Sequence, residues 1–95
     1  MGLKELKSEL KGKVSRYIDT RVYDETEWAE RGESVGRGSS LTLISEGELN
    51  HLLNGHARAF PGDLTGQGLQ ELAGRHGYYV EQGFSWSWHF YPVPA

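Results

Sequence analysis

Phe84-Ser85-Trp86-Ser87-Trp88-His89-Phe90-Tyr91 places a large aromatic at every even position and a serine, histidine or tyrosine at every odd one. Successive side chains of a strand point to opposite faces, so the octet reads as one long strand with an aromatic wall and a polar wall. Burial of each large apolar side chain contributes roughly 1.5–3 kcal/mol, so the aromatic wall dictates where a core must lie. Tyr78-Tyr79-Val80 stands just before the octet, separated from it by Glu81-Gln82-Gly83. A two-residue turn at Gln82-Gly83 would set Glu81 opposite Phe84 on the aromatic wall. A three-residue loop, with Gly83 in the left-handed bulge position, instead pairs Val80 with Phe84 and Tyr78 with Trp86. A one-residue slip exchanges the two faces, so the apolar pattern selects the second arrangement. The expected core wall is then Tyr78, Val80, Phe84, Trp86, Trp88 and Phe90. Tyr79, Ser85, Ser87, His89 and Tyr91 are expected on an open outer face. Pro92 and Pro94 end the strand.

Upstream, Leu3, Leu6, Leu10, Val14, Tyr17 and Ile18 recur at helical spacing and predict an amphipathic helix over 3–19. Residues 20–40 carry less pattern. Thr20-Arg21-Val22-Tyr23 fits a helix extension or a short strand, and 31–40 is a Gly/Ser-rich loop. Leu41-Thr42-Leu43-Ile44 reads as a buried strand. Ser45 follows as an N-cap for a helix over 46–54, which stops at Asn54-Gly55. A further helix is expected over 65–76. The fold class is α+β: a two-layer single domain over 1–95. A mostly antiparallel three-stranded sheet (78–80, 84–91 and 41–44) packs against three helices.

The chain has no cysteine, which removes disulfides, Cys-ligated zinc, iron–sulfur clusters and thiol chemistry. A small cysteine-free domain favours the cytoplasm. No segment reads as a signal peptide or a membrane span, so no membrane partner is expected. The net charge of −3 is unevenly spread. Six basic residues against three acids precede Tyr23, whereas Asp24, Glu25, Glu27, Glu30 and Glu33 face Arg31 alone over the next ten positions. The two segments could neutralise each other within the fold. Alternatively the acidic run, with Trp28 inside it, presents charge to a basic partner.

Each chemical motif is weak. Glu48 and His51 have Glu-x-x-His spacing, but a di-iron bundle needs two such copies and two further glutamates. A zinc site would require His51, His56, His76 or His89 to converge with acids, and no metal or other cofactor is expected. The glycines near 36–40 lead into a strand. Those near 62–68 lack the Gly-Lys-Ser/Thr of a phosphate loop and carry Asp63. No Gly-x-Ser-x-Gly elbow occurs. Tyr79 and Tyr91 could stack bases, but the surrounding cations that nucleic-acid binding requires are missing, so no direct nucleic-acid contact is expected.

By elimination the sequence favours a non-catalytic binding protein whose contacts are Asp24, Glu25, Glu27, Trp28 and Glu30 together with Tyr79, His89 and Tyr91. Its partner is expected to be a protein with a basic surface. Small, acidic, cysteine-free single domains are a common format for inhibitors or immunity-type accessory proteins of phages and mobile elements, which occupy nucleic-acid-binding surfaces of their targets. The alternative is a small enzyme or ligand-binding domain with a polar site centred on His89. A homodimer joined edge to edge through the last strand is a third arrangement.

Overall fold

Leu6, Leu10 and Val14 lie on one face of the first helix, α1 (Leu3–Val14), and all three are buried. The chain then turns away. The Tyr17 N–H bonds to the Val14 carbonyl, and Asp19 takes φ +57°, a left-handed conformation that aspartate tolerates better than most residues. The helix expected to reach residue 19 therefore stops at 14, and Ile18, read as part of its inward stripe, is 76% exposed. Thr20–Asp24 forms a strand, β1, and Asp24 caps a six-residue helix, α2 (Glu25–Glu30). A helix this short spans too few turns for its apolar period to be visible in sequence. The remaining elements are β2 (Leu41–Ser45), α3 (Glu48–Leu53), α4 (Gly66–Arg75), β3 (Tyr78–Gln82) and β4 (Ser87–Pro92).

The computed structural model describes residues 2–94, and among them the fold is α+β, with four helices and one antiparallel sheet. The sheet has four strands rather than three, in the order β1-β2-β4-β3. The last strand is thus internal, bonded to β2 on one side and β3 on the other, so an edge-to-edge dimer through it is not available. One face of the sheet carries Leu41, Leu43, Val80, Trp88 and Phe90, which form a single core with buried residues of α1, α3 and α4. Trp28 of α2 is buried against the opposite face, so helical structure covers both sides. Among the described residues, no helix is long and apolar enough to cross a membrane.

The hairpin register differs from the expected one. Val80 pairs with Phe90 and Gln82 with Trp88, leaving Gly83–Trp86 as a four-residue loop. Three amides hold this loop: Asn50, Asn54 and Gln82 all donate to the Ser85 carbonyl. Phe84 and Trp86 leave the core wall and stack on each other, ring centroids 4.6 Å apart. The alternation read from sequence holds only from Ser87 onward. Loop hydrogen bonds and a ring-on-ring stack compete successfully with burial of two more aromatics.

The outer edge of β3 is closed by a side chain. Gln70 of α4 donates to the Val80 carbonyl (2.8 Å) and accepts from the Val80 N–H (3.1 Å). Its primary amide satisfies one donor and one acceptor of the edge, as a neighbouring strand would.

Candidate functional site

The polar wall of β4 is not an open surface. His89, expected to point into solvent, is 1% exposed, and Ser87 is fully buried. The cover comes from α2 and the 31–40 loop, whose Gly-rich backbone passes close to the imidazole. A Cβ added at Gly36 would stand 2.1 Å from His89 Nδ1, and one at Gly83 would stand 2.6 Å from Nε2. Both ring nitrogens are engaged, Nδ1 with Thr42 Oγ1 (2.9 Å) and Nε2 with Ser87 Oγ (3.0 Å). Thr42 continues the chain to Ser39 Oγ at 3.1 Å, and Ser87 Oγ accepts the Phe84 N–H at 2.8 Å. Burial pushes the imidazole below its usual value near 6.5, favouring the neutral ring. A general base must reach the proton it abstracts, and here both nitrogens are turned into the protein.

Trp28, expected as an exposed anchor, is 1% exposed and forms the lid of this network. Its indole N–H donates to the Val35 carbonyl (3.0 Å), tying α2 to the Gly-rich loop. The Arg31 guanidinium then lies over both the Trp28 and Tyr23 rings, at 5.3 and 5.4 Å from their centroids. A large amphipathic residue inside an acidic run looks like an interface anchor in sequence. The polar alternation of β2 and β4 supplies a pocket that accepts it instead.

The carboxylates around Trp28 divide into two groups. Asp24 and Glu27 form a capping box: Asp24 Oδ1 accepts the Glu27 N–H (2.8 Å) and Glu27 Oε1 accepts the Asp24 N–H (2.9 Å). The Glu27 N–H, followed by the Lys7 ammonium 3.7 Å away, holds the Asp24 carboxyl below its ordinary range. Glu25 and Glu30 are exposed, and among the described residues neither has an ion-pair partner. Glu33 lies 3.8 Å from Arg31.

Tyr79 and Tyr91 occupy the half of this face that α2 leaves uncovered, with ring centroids 5.6 Å apart. Tyr79 is 38% exposed and Tyr91 is half-buried. Burial, then the Glu81 charge, raises the Tyr91 phenol above its usual value, so it stays a neutral donor and acceptor. Of the residues singled out from sequence, Glu25, Glu27, Glu30, Tyr79 and part of Tyr91 reach the surface, while Trp28 and His89 support it from beneath.

The other sequence candidates fall apart in space. Glu48, His51 and His56 are exposed, and His76 Nε2 is paired with Glu9 Oε1 at 2.8 Å. Among the described residues no three His, Asp or Glu side chains converge as a metal site would require. Asp63 accepts hydrogen bonds from the Phe60 N–H and the Tyr17 hydroxyl, both at 2.9 Å, so it braces its loop rather than opening a phosphate cradle.

Of the two readings open for residues 20–23, the strand is the one formed, and sequence reasoning missed what lies along it. A groove of about 470 Å³ runs between α1 and β1, lined by Lys11, Val14, Ser15, Arg21, Val22 and Tyr23 among others. The polar/apolar alternation of Arg21-Val22-Tyr23 was the available signal for it. No protein-family model, no curated protein and no solved structure matches this chain.

Proposed function

We propose that this chain is a small non-catalytic binding protein that engages a basic protein surface through α2 and the neighbouring open part of the sheet. The carrying observation is the unpaired state of Glu25 and Glu30. Self-neutralisation would bring the lysines of α1 onto the acidic segment, yet among the described residues only Lys7 crosses, and it meets Asp24. Glu25 and Glu30 face solvent on a helix anchored by the buried Trp28, so their charge is presented at a defined place. Tyr79 and Tyr91 add large amphipathic area of the kind enriched at interfaces. This surface suits an inhibitor or immunity-type accessory protein that fills a nucleic-acid-binding groove of its target.

The test is affinity capture from the native host, comparing the wild-type chain with Glu25→Lys/Glu30→Lys. The expected result is a partner with a basic surface that is lost from the double variant and released as salt is raised, since exposed charges are screened. Capture that survives both charge reversal and salt overturns the proposal. A site centred on His89 is disfavoured, because the ring is enclosed and both nitrogens are taken by hydroxyls within the fold.

A further inference from the structure

The two edges of the sheet are treated differently. At β3 the outward N–H and C=O of Val80 are bonded to Gln70. At β1 the alternation is fixed by Glu46, whose N–H donates to the Asp19 carbonyl at 3.0 Å. Asp19, Arg21 and Tyr23 therefore direct their backbone groups toward β2, and Thr20 and Val22 direct theirs outward. Among the described residues no side chain plays the part of Gln70 here. The next outward N–H, that of Asp24, is taken by the Glu27 carboxylate. The free positions open into the groove between β1 and α1.

We infer that this edge accepts an extended segment of a partner protein, added as a fifth strand beside β1 with an acidic residue opposite Arg21. Main-chain bonds to Thr20 and Val22 would hold the segment, and alternate side chains would be read by the groove walls. The charge of those walls selects the acid. Lys11 and Arg21 line the groove without an ion-pair partner among the described residues. The carboxylate lining it, Glu27, is already committed to the α2 cap.

A second copy of the chain fits less well. The antiparallel register that uses both Thr20 and Val22 on each copy sets Arg21 directly against Arg21, and like charges in opposition are destabilising. The register centred on Val22 aligns Thr20 with Asp24, whose N–H is not free. This site selects an acidic strand whereas α2 selects a basic surface, so it goes beyond the proposed function and the two stand or fall separately.

Selection of a phage-displayed library of short random peptides on the wild-type chain and on Arg21→Glu tests the inference. Wild-type selection should enrich peptides with Asp or Glu between β-branched or aromatic residues, and Arg21→Glu should enrich Lys or Arg at that place. With a synthetic copy of an enriched peptide at about ten times its dissociation constant, amide exchange at Val22 should slow about tenfold. Exchange at Val80 should be unchanged, which also reports that the variant is folded. An unenriched library, enriched peptides indifferent to Arg21→Glu, or protection away from Thr20 and Val22 would each overturn the inference. So would concentration-dependent protection of Val22 in the chain alone, which would identify a second copy as the occupant.

Discussion

Trp28 lies against His89 with ring centroids 5.3 Å apart and planes tilted by 53°. The indole thus seals the one buried titratable group of the polar network, and its fluorescence reports on whether that seal holds.

Acidification should open it. Because burial lowers the folded-state pKa of His89, the unfolded chain binds a proton first as pH falls. The His89 contribution to stability is therefore fully present above about pH 6.5 and is lost as pH drops from there toward the folded-state value. Urea midpoints followed by tryptophan fluorescence should be lower at about pH 5.5 than at about pH 7.5. His89→Gln should flatten this dependence while lowering stability at both. A wild-type midpoint that does not change over this range contradicts the assignment.

Gly36 and Gly38 make a controlled pair. Both have positive φ, 75° and 85°, but only a Cβ at Gly36 meets His89; nothing lies within 4 Å of one at Gly38. Gly38→Ala should cost about 1–2 kcal/mol, the backbone penalty alone. Gly36→Ala should cost a further 1–3 kcal/mol or so, for forcing the ring aside. Equal destabilisation in chemical denaturation would mean that the loop does not press on the histidine.

Phe84 and Phe90 were equivalent members of one aromatic wall in the sequence, and the register separates them. Phe90 is fully buried, so Phe90→Ala should cost about 3–5 kcal/mol. Phe84 only stacks on Trp86 in the loop, and Phe84→Ala should cost less than about 2 kcal/mol. Similar losses from the two variants would restore the three-residue hairpin loop.

Gln70→Ala should expose the Val80 edge. Two hydrogen bonds of about 0.5–1.5 kcal/mol each are lost, amide exchange at Val80 should accelerate, and light scattering should detect association that the wild-type chain lacks. A monomeric variant with unchanged Val80 exchange would show that the amide does not guard the edge.

The aromatic period of β4, the leucine stripe of α1 and the apolar run of β2 were legible because each repeats often enough to define a face. Sheet order was not legible. Whether Ser87-Trp88-His89 sits at an edge or in the middle depends on the partner of β2, and no local pattern carries that information. The burial of His89 and Trp28 was hidden for a related reason. A Ser/His/Tyr face reads as solvent-exposed until a hydroxyl from Thr42 and a covering helix are known to meet it. Of the glycines of 31–40, read as a polar loop, Gly36 leaves no room for a Cβ because the His89 imidazole lies beneath it.

The central place of β4 also sets the order in which the sheet can be completed. β2 and β3 each form part of their pairing with β4, which follows both in the chain. During synthesis Leu41–Ser45 emerges early and can pair with β1, but its other edge has no match until Ser87–Pro92 leaves the ribosome. A nascent chain at that stage carries an apolar, half-paired strand, the kind of surface that chaperones bind and that aggregates when they do not. The hazard for this fold is therefore concentrated in the interval before β4 arrives.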